Sequence, residues 1–293
     1  MKRSRKKIYL LVILFFSLFL RFLYDQNNAI TVTDFTISSN KIPQSFDGYK
    51  IIQLSDLHSK SFGKNQGSLT QKVKALHPDL ILVTGDLIDR RRYNEEPSLK
   101  LIKEMVEIAP VYFVTGNHEW GSGKFISSLE DKLIDLGVNV MRNSHDSIYK
   151  SGDEINLLGI DDPSIDAHKS YADYNSAEAA LEDSLEGLEN QDSFRILLSH
   201  RPELFSLYKE FDMDLIFSGH AHGGQLRIPF LGGLIAPGQG LFPEYTSGIH
   251  DEDNSTLIVN RGLGNSLFPQ RVLNKPEIVS VTLSTENPTK TKE

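Results

Sequence analysis

The chain has 293 residues, 39% hydrophobic and 24% charged, which suits one large α/β domain or two small ones. A net charge of −8 argues against a general nucleic-acid binder, which would carry a basic face. There is no cysteine, which excludes disulfides, thiolate catalysis and Cys-ligated zinc, so any metal must be held by His, Asp, Asn or Glu.

The first element is unlike the rest. Lys2, Arg3, Arg5, Lys6 and Lys7 form a basic head, and Ile8 to Leu20 is apolar except for Ser17. Phe22, Leu23 and Tyr24 follow Arg21. This pattern is a signal peptide or a signal anchor, and the absence of a small-x-small site before Asp25, Gln26 and Asn27 favours an uncleaved anchor. The apolar stretch is slightly short for a span of roughly 20 residues, but Arg21 can snorkel to the interface. The positive-inside rule keeps the head in the cytoplasm and places the remainder outside. The alternative is a monotopic helix on the inner surface carrying a cytoplasmic domain. The expected division is an anchor over 1–28, one domain over 29–284 and a polar tail over 285–293.

Ile30 to Ser38 alternates as a strand, and Tyr49 to Leu54 is a second strand ending in Ser55-Asp56-Leu57-His58. Leu69, Val73 and Leu76 have helical spacing, and Pro78 stops that helix. Leu80 to Val83 is a buried strand ending in Thr84-Gly85-Asp86. A helix from about Pro97 to Ile108 leads to the strand Val111 to Val114, which ends in Gly116-Asn117-His118-Glu119. A helix over Lys124 to Leu136 stops at Gly137. Short strands follow at Val138 to Met141, Ser147 to Tyr149 and Ile155 to Ile160, then a polar, acidic helix over Tyr174 to Leu188. Phe194 to Leu198 is a strand ending in Ser199-His200-Arg201-Pro202, with a short helix beginning at Leu204. Leu215-Ile216-Phe217 ends in Ser218-Gly219-His220-Ala221-His222, and the glycine-rich remainder closes with a strand near Ile278 to Leu283. The recurrence of strand, polar tip and helix suggests sheets with helices on their outer faces, whose tips share a crevice.

Five strand tips thus present Asp56 with His58, Asp86, Asn117 with His118, His200, and His220 with His222. A second D-x-H, Asp166-Ala167-His168, lies in a polar loop with no preceding apolar strand, which separates it from Asp56-Leu57-His58. His77, His145 and His250 also fall outside the tips and read as surface residues. One divalent ion takes about four to six ligands, and imidazole with carboxylate suits zinc, manganese or iron. Asp56, His58, Asp86, Asn117, His200, His220 and His222 are too many for one ion and suit two. A bridging carboxylate would set two ions roughly 3.5–4 Å apart, as in phosphate-processing sites. Such a density of charge is what an anionic phosphoester requires, because hydroxide must be generated near neutral pH and charge on the phosphoryl oxygens neutralised.

The ordered blocks Asp56-x-His58, Gly85-Asp86, Gly116-Asn117-His118-Glu119, Ser199-His200 and Gly219-His220-Ala221-His222 resemble the calcineurin-like metallophosphoesterases. The resemblance implies an α/β fold, a two-sheet β-sandwich flanked by helices in four layers. It implies that Asp56, His58, Asp86 and His222 hold one divalent ion, that Asp86, Asn117, His200 and His220 hold the other, and that Asp86 bridges them. His118 would stabilise the transition state or protonate the leaving oxygen. The stretches His222-Gly223-Gly224-Gln225 and Asn260-Arg261-Gly262-Leu263-Gly264, with Arg271 and Pro276-Glu277-Ile278, are similar to a bacterial membrane-anchored or exported branch of that family. The expected activity is hydrolysis of phosphodiester, phosphomonoester or pyrophosphate bonds by a metal-bridging hydroxide, with lipid-linked or cell-wall-linked esters among the candidate substrates. A UDP-2,3-diacylglucosamine-type pyrophosphatase on the inner leaflet and a non-catalytic binding scaffold are the alternatives. Arg90-Arg91-Arg92, Arg261 and Arg271 are candidate phosphate contacts. The loop Ser59 to Gly67 and the pair Glu119-Trp120 are candidate positions for substrate selection.

Overall fold

A computed structural model describes residues 2–163, 173–190, 192–228, 230–265 and 268–285. The pattern Asp166-Ala167-His168 and the tail after residue 285 lie outside the described residues. Helix α1 (Lys2–Asn28) is long and apolar enough to cross a membrane over Lys6–Asn28, with a mean hydropathy of 2.0 in its most apolar window. Its side chains from Lys6 to Leu20 are exposed on every face. It runs almost directly into β1 (Thr31–Ser38).

The domain is built from two sheets. The first contains β1, β2 (Lys50–Leu54), β3 (Leu80–Thr84), β4 (Val111–Val114), β5 (Asn139–Val140) and β16 (Glu277–Ser284), in the order β1-β16-β2-β3-β4-β5. All neighbours are parallel except β16 against β2. The second contains β6 (Ser144–Lys150), β7 (Asp153–Gly159), β8 (Arg195–Leu198), β9 (Leu215–Ser218), β14 (Gly248–Glu252) and β15 (Ser255–Val259), in the order β14-β15-β9-β8-β7-β6. Its interior pairs are parallel and its two edge pairs antiparallel. Between β9 and β14 lie two short ribbons. One pairs β10 (Arg227–Ile228) with β11 (Gly232–Gly233), and the other pairs β12 (Ile235–Ala236) with β13 (Gly240–Leu241).

The layering follows from the period of two along each strand. In β3, Leu80 and Leu82 face the second sheet, where they meet Ile196, Leu198 and Phe217. Ile81 and Val83 face the opposite way, into a core shared with α2 (Gly67–Leu76), α3 (Glu96–Val106) and α5 (Ile126–Asp135) through Leu69, Val73, Leu101, Met105, Leu129 and Leu133. On the far face of the second sheet, Leu197 and Ile216 pack on α6 (Tyr174–Leu185) and α7 (Phe205–Glu210) through Ala177, Leu181 and Phe205. The result is the expected α/β fold, a β-sandwich between helical layers. The acidic helix α6 is a core-facing element on one side, with Ala177, Ala180 and Leu181 buried, and Asp173 caps it by accepting from the Ser176 N–H at 3.2 Å. α2 stops where His77 takes a left-handed φ of 50° before Pro78. The helix after β4 begins at Ile126, later than the sequence suggests, because the short helix α4 (Asn117–Gly121) and a 3-10 turn over Gly123–Phe125 precede it.

Candidate metal centre

β2, β3, β4, β8 and β9 all end at one edge of the sandwich, and polar bonds join the two sheets there. Gln53 donates to Thr84 Oγ1 at 2.9 Å and to the Ser218 carbonyl at 3.0 Å, and Asn260 donates to the Gln53 carbonyl at 3.1 Å. The chain turns sharply immediately beyond the strands. Asp56, His58, Asp86, His220 and His222 all have positive φ, between 48° and 63°. A non-glycine residue in that region costs roughly 1 kcal/mol or more, and strain of this kind clusters at functional sites. Two glycines make the close approach possible. A Cβ on Gly219 would lie 2.4 Å from Asp56 Oδ2, and one on Gly116 would lie 2.3 Å from Asp86 Oδ1.

The turns bring the tip residues into two overlapping groups. Asp56, His58, Asp86 and His222 offer ligand atoms within 4.8 Å of one another, as do Asp86, His200 and His220, and all are buried. In the first group His58 Nε2 faces His222 Nε2 at 2.9 Å, and Asp56 Oδ1 is 3.2 Å from His222 Nε2. In the second, His220 Nδ1 is 3.1 Å from His200 Nε2. Asp86 Oδ2 stands between the groups, 3.6 Å from His58 Nε2 and 3.4 Å from His200 Nε2. Its other oxygen, Oδ1, accepts the His118 N–H at 2.8 Å. Asn117 lies on the same turn, and its Oδ1 is buried with no hydrogen-bond partner. His58 Nδ1 and His222 Nδ1 are likewise without partners. Buried polar atoms are rarely left unpaired, and imidazole nitrogens gathered with carboxylate oxygens form the donor set that a borderline divalent cation takes. The residues present therefore fit a divalent metal.

The electrostatics agree with that fit. Burial holds the His58 ring down to about 3, and burial with the Arg201 guanidinium and His200 holds His220 well below its ordinary value, so both are neutral and free to coordinate. Burial opposes charge on His200 too, but Asp86 and Asp56 outweigh it and push that ring up to about 10. Burial also opposes ionisation of Asp86, and there the surrounding histidines, His200 first, prevail and hold the carboxyl well below its usual range. The centre thus draws positive charge to Asp86. Neighbouring groups fix the tautomers and angles. His200 Nδ1 donates to the Thr84 carbonyl at 2.7 Å, which turns Nε2 toward the centre, and Ser55 Oγ donates to Asp56 Oδ2 at 2.6 Å.

His118 is buried beside the first group, with its ring edge-on to His58 at 4.4 Å between centroids. Asp89 Oδ1 lies 3.6 Å from His118 Nδ1, and the Arg90 N–H points at the same nitrogen from 3.1 Å. Burial opposes a proton on His118, yet the Asp86 and Asp89 charges raise its pKa above the ordinary value. Asp89 was not singled out from sequence, although Gly85-Asp86-Leu87-Ile88-Asp89 places a second carboxylate three positions after the first. Arg201 was also missed as a functional residue. It forms a buried bidentate pair with Asp162, at 2.6 and 3.1 Å, and its Nη1 reaches His220 Nε2 at 3.1 Å.

Other sequence expectations change in the structure. Glu119 does not face a substrate cleft. It is fully buried and accepts N–H groups from Asp86, Gly116 and Ile88 at 2.8, 2.8 and 3.2 Å, tying the β3 and β4 tips together. Trp120 packs, with Nε1 on Thr115 Oγ1 at 3.1 Å and the Arg142 guanidinium over its ring. Arg271 is buried, and its guanidinium donates to the carbonyls of Arg261, Gly264 and Asn274, while Arg261 pairs with Glu277 at 2.7 Å, so both hold the loop rather than a phosphate. Arg92 and the start of the loop after His58 do line a cavity of about 380 Å³, which also touches His58 and Asp89. His77 is exposed, and His145 and His250 are half-buried away from the centre.

Glu119 carries a prediction. Glu119→Gln sets an amide N–H2 against N–H donors and leaves one of them unpaired. It is expected to lower stability by about 1–3 kcal/mol, measured by denaturation of the metal-free protein. Stability equal to wild type would show that the carboxylate does not hold the tips together.

A model of the calcineurin-like phosphoesterase family matches residues 49–224. The chain is 31% identical over 269 residues to an uncharacterised metallophosphoesterase, YkuE, of Bacillus subtilis, covering 90% of this chain and 89% of the relative. It is 28% identical to the phosphodiesterase YaeI of Escherichia coli, covering 80% and 82%. It is 26% identical to the UDP-2,3-diacylglucosamine pyrophosphatase LpxG of Chlamydia trachomatis, covering 81% and 84%.

Proposed function

Since the chain belongs to the calcineurin-like phosphoesterase family, we propose that it is a membrane-anchored phosphoesterase working with two divalent cations, of manganese, zinc or iron. The observation that carries this reading is the position of Asp86 Oδ2 between the two groups of ligand atoms. Asp56, His58, Asp86 and His222 would hold one cation, and Asp86, Asn117, His200 and His220 the other. When bound, the pair supplies a nucleophile at neutral pH and neutralises the charge that develops on the phosphoryl oxygens. His118 serves as the proton donor to the leaving oxygen, its pKa raised by Asp86 and Asp89 against the effect of burial. The substrate is a phosphodiester or a pyrophosphate in preference to a peptide or glycan, because the family is one of phosphoesterases and a cation pair suits both the attacking and the leaving oxygen of an in-line displacement at phosphorus.

Helix α1 anchors residues 1–28 in the bilayer, and the basic head Lys2 to Lys7 holds the N-terminus in the cytoplasm with the catalytic domain, 29–284, outside. The similarity to LpxG favours one other reading, a lipid pyrophosphatase on the inner leaflet, and a reporter fused to the C-terminus separates the two by its side of the membrane. The activity is tested with the full chain in detergent. Metal analysis is expected to give about two cations per chain, and bis(p-nitrophenyl) phosphate is expected to be hydrolysed in their presence and spared after chelation. A chain that binds no metal and hydrolyses no ester would be a scaffold on this fold.

A further inference from the structure

Helix α1 is more than a tether. Only Ala29 and Ile30 separate it from β1, and Ile30 is buried in the domain core. Its last turn is bonded to the loop that carries Arg271. Gln270 donates to the Leu23 carbonyl at 2.9 Å, Asn27 Nδ2 donates to the Pro269 carbonyl at 2.9 Å, and Asn27 Oδ1 accepts the Arg271 N–H at 2.8 Å. The same loop reaches the metal centre, since Asn274 Nδ2 donates to the His222 carbonyl at 2.7 Å and the Gly264 N–H donates to the Asp56 carbonyl at 2.6 Å. The helix end is thus fixed relative to the site. It also forms part of the site's wall, because Asn27 and Asn28 line the cavity that touches His58 and Asp89, together with Lys60 and Arg92. At about 1.5 Å of rise per residue, Asn27 stands roughly 10 Å beyond Arg21, where the apolar run ends. That is the depth of lipid headgroups.

A second observation lies on the adjoining ribbons. Phe230 and Leu231 at the turn between β10 and β11 are 106% and 67% exposed, and Leu241 and Phe242 are 68% and 64% exposed. Phe268 and Leu273, on the loop that grips α1, are exposed too. The ribbon is joined to that loop by the bridge between Leu226 and Val272 and by the Arg227 N–H donating to the Val272 carbonyl at 3.1 Å. Ile228 of the same ribbon is exposed as well, whereas outside α1 the other exposed large apolar side chains among the described residues, Phe125, Ile134, Tyr149 and Tyr174, are scattered through the rest of the sequence. Exposed apolar side chains gathered on segments bonded to one another mark an interaction surface. Its bonded continuity with the membrane helix identifies the occupant as the same bilayer, not a soluble partner.

We propose that the tips of these ribbons and the loop around Phe268 and Leu273 dip into the leaflet that α1 enters, seating the mouth of the metal centre on the membrane so that its substrate is a phosphoester carried on a lipid. This rests on the reading of α1 as an anchor and of the centre as a phosphoesterase. The chain lacks cysteine, so single-cysteine variants of the full chain take an environment-sensitive nitrobenzoxadiazole label at one site each. In phosphatidylethanolamine–phosphatidylglycerol vesicles the label at Phe230→Cys is expected to shift to the blue and brighten, as at Leu14→Cys within α1, while Tyr149→Cys stays aqueous. Phe230→Ser combined with Leu231→Ser is expected to lower kcat/KM about ten-fold for hexadecyl p-nitrophenyl phosphate held in those vesicles. Hydrolysis of soluble bis(p-nitrophenyl) phosphate by the same variant should be unchanged. An aqueous label at position 230 in vesicles, or equal loss on both esters, would overturn the seat. No hydrolysis by the wild type would overturn the phosphoesterase reading, and an aqueous label at position 14 the anchor.

Discussion

Asp86→Ala is expected to remove both cations together and to lower kcat/KM by at least about a thousand-fold, or ~4 kcal/mol. The reason is geometric. A single oxygen, Asp86 Oδ2, lies 3.6 Å from His58 Nε2 and 3.4 Å from His200 Nε2, so no other side chain belongs to both groups of ligand atoms. Its loss withdraws the only carboxylate the groups share and leaves His200 and His220 with no carboxylate in their group. Asp86 also helps to hold the His200 ring up at about 10, and the variant should release that proton. The fold itself should survive, because the β3 tip is still tied through Glu119 to the Asp86 and Gly116 backbone. Metal content by plasma mass spectrometry, thermal unfolding without metal and turnover are the measurements. Asp86→Asn keeps the volume and is expected to retain part of the metal and little of the rate. An alanine variant that loses its binuclear site yet turns over normally would refute the two-cation reading.

Much of this arrangement was legible in the sequence, for a local reason. Each buried run, such as Leu80-Ile81-Leu82-Val83, leads to a glycine or serine followed by Asp, Asn or His, and strand ends of that kind share an edge once the sheets form. What was not legible depends on partners far along the chain. β16 slips between β1 and β2, antiparallel to β2, across more than 220 residues of sequence, and no periodicity announces that pairing. Arg201 and Asp162 are 39 residues apart, so their burial together is a tertiary fact. Arg271 looked like a phosphate contact because a guanidinium suits a phosphate, yet burial directs its donors to carbonyls. Glu119 is a similar case: beside His118 it reads as a position for substrate selection, but three backbone N–H groups take it up as a brace. Asp89 is the one omission that the sequence could have corrected, through its spacing from Asp86.

His118→Ala should leave the metal content at its wild-type level, because none of the paired contacts that bind the two groups together passes through that ring. Turnover is expected to fall by about 10²–10³-fold, the size usual for a lost general acid. The size of the loss does not by itself identify the role, since a displaced neighbour would slow the enzyme too: the His118 ring packs edge-on against His58. The leaving group separates the cases. A p-nitrophenolate departs without help, whereas an unactivated alkoxide needs its proton as the bond to phosphorus breaks. If His118 supplies that proton, His118→Ala will cost far more on an alkyl phosphodiester than on bis(p-nitrophenyl) phosphate. Asp89→Asn will show the same dependence in weaker form, because the carboxylate 3.6 Å from Nδ1 helps to raise the pKa of the ring. Equal losses on both esters would assign His118 to positioning His58, and a normal rate on the alkyl ester would take it out of the chemistry.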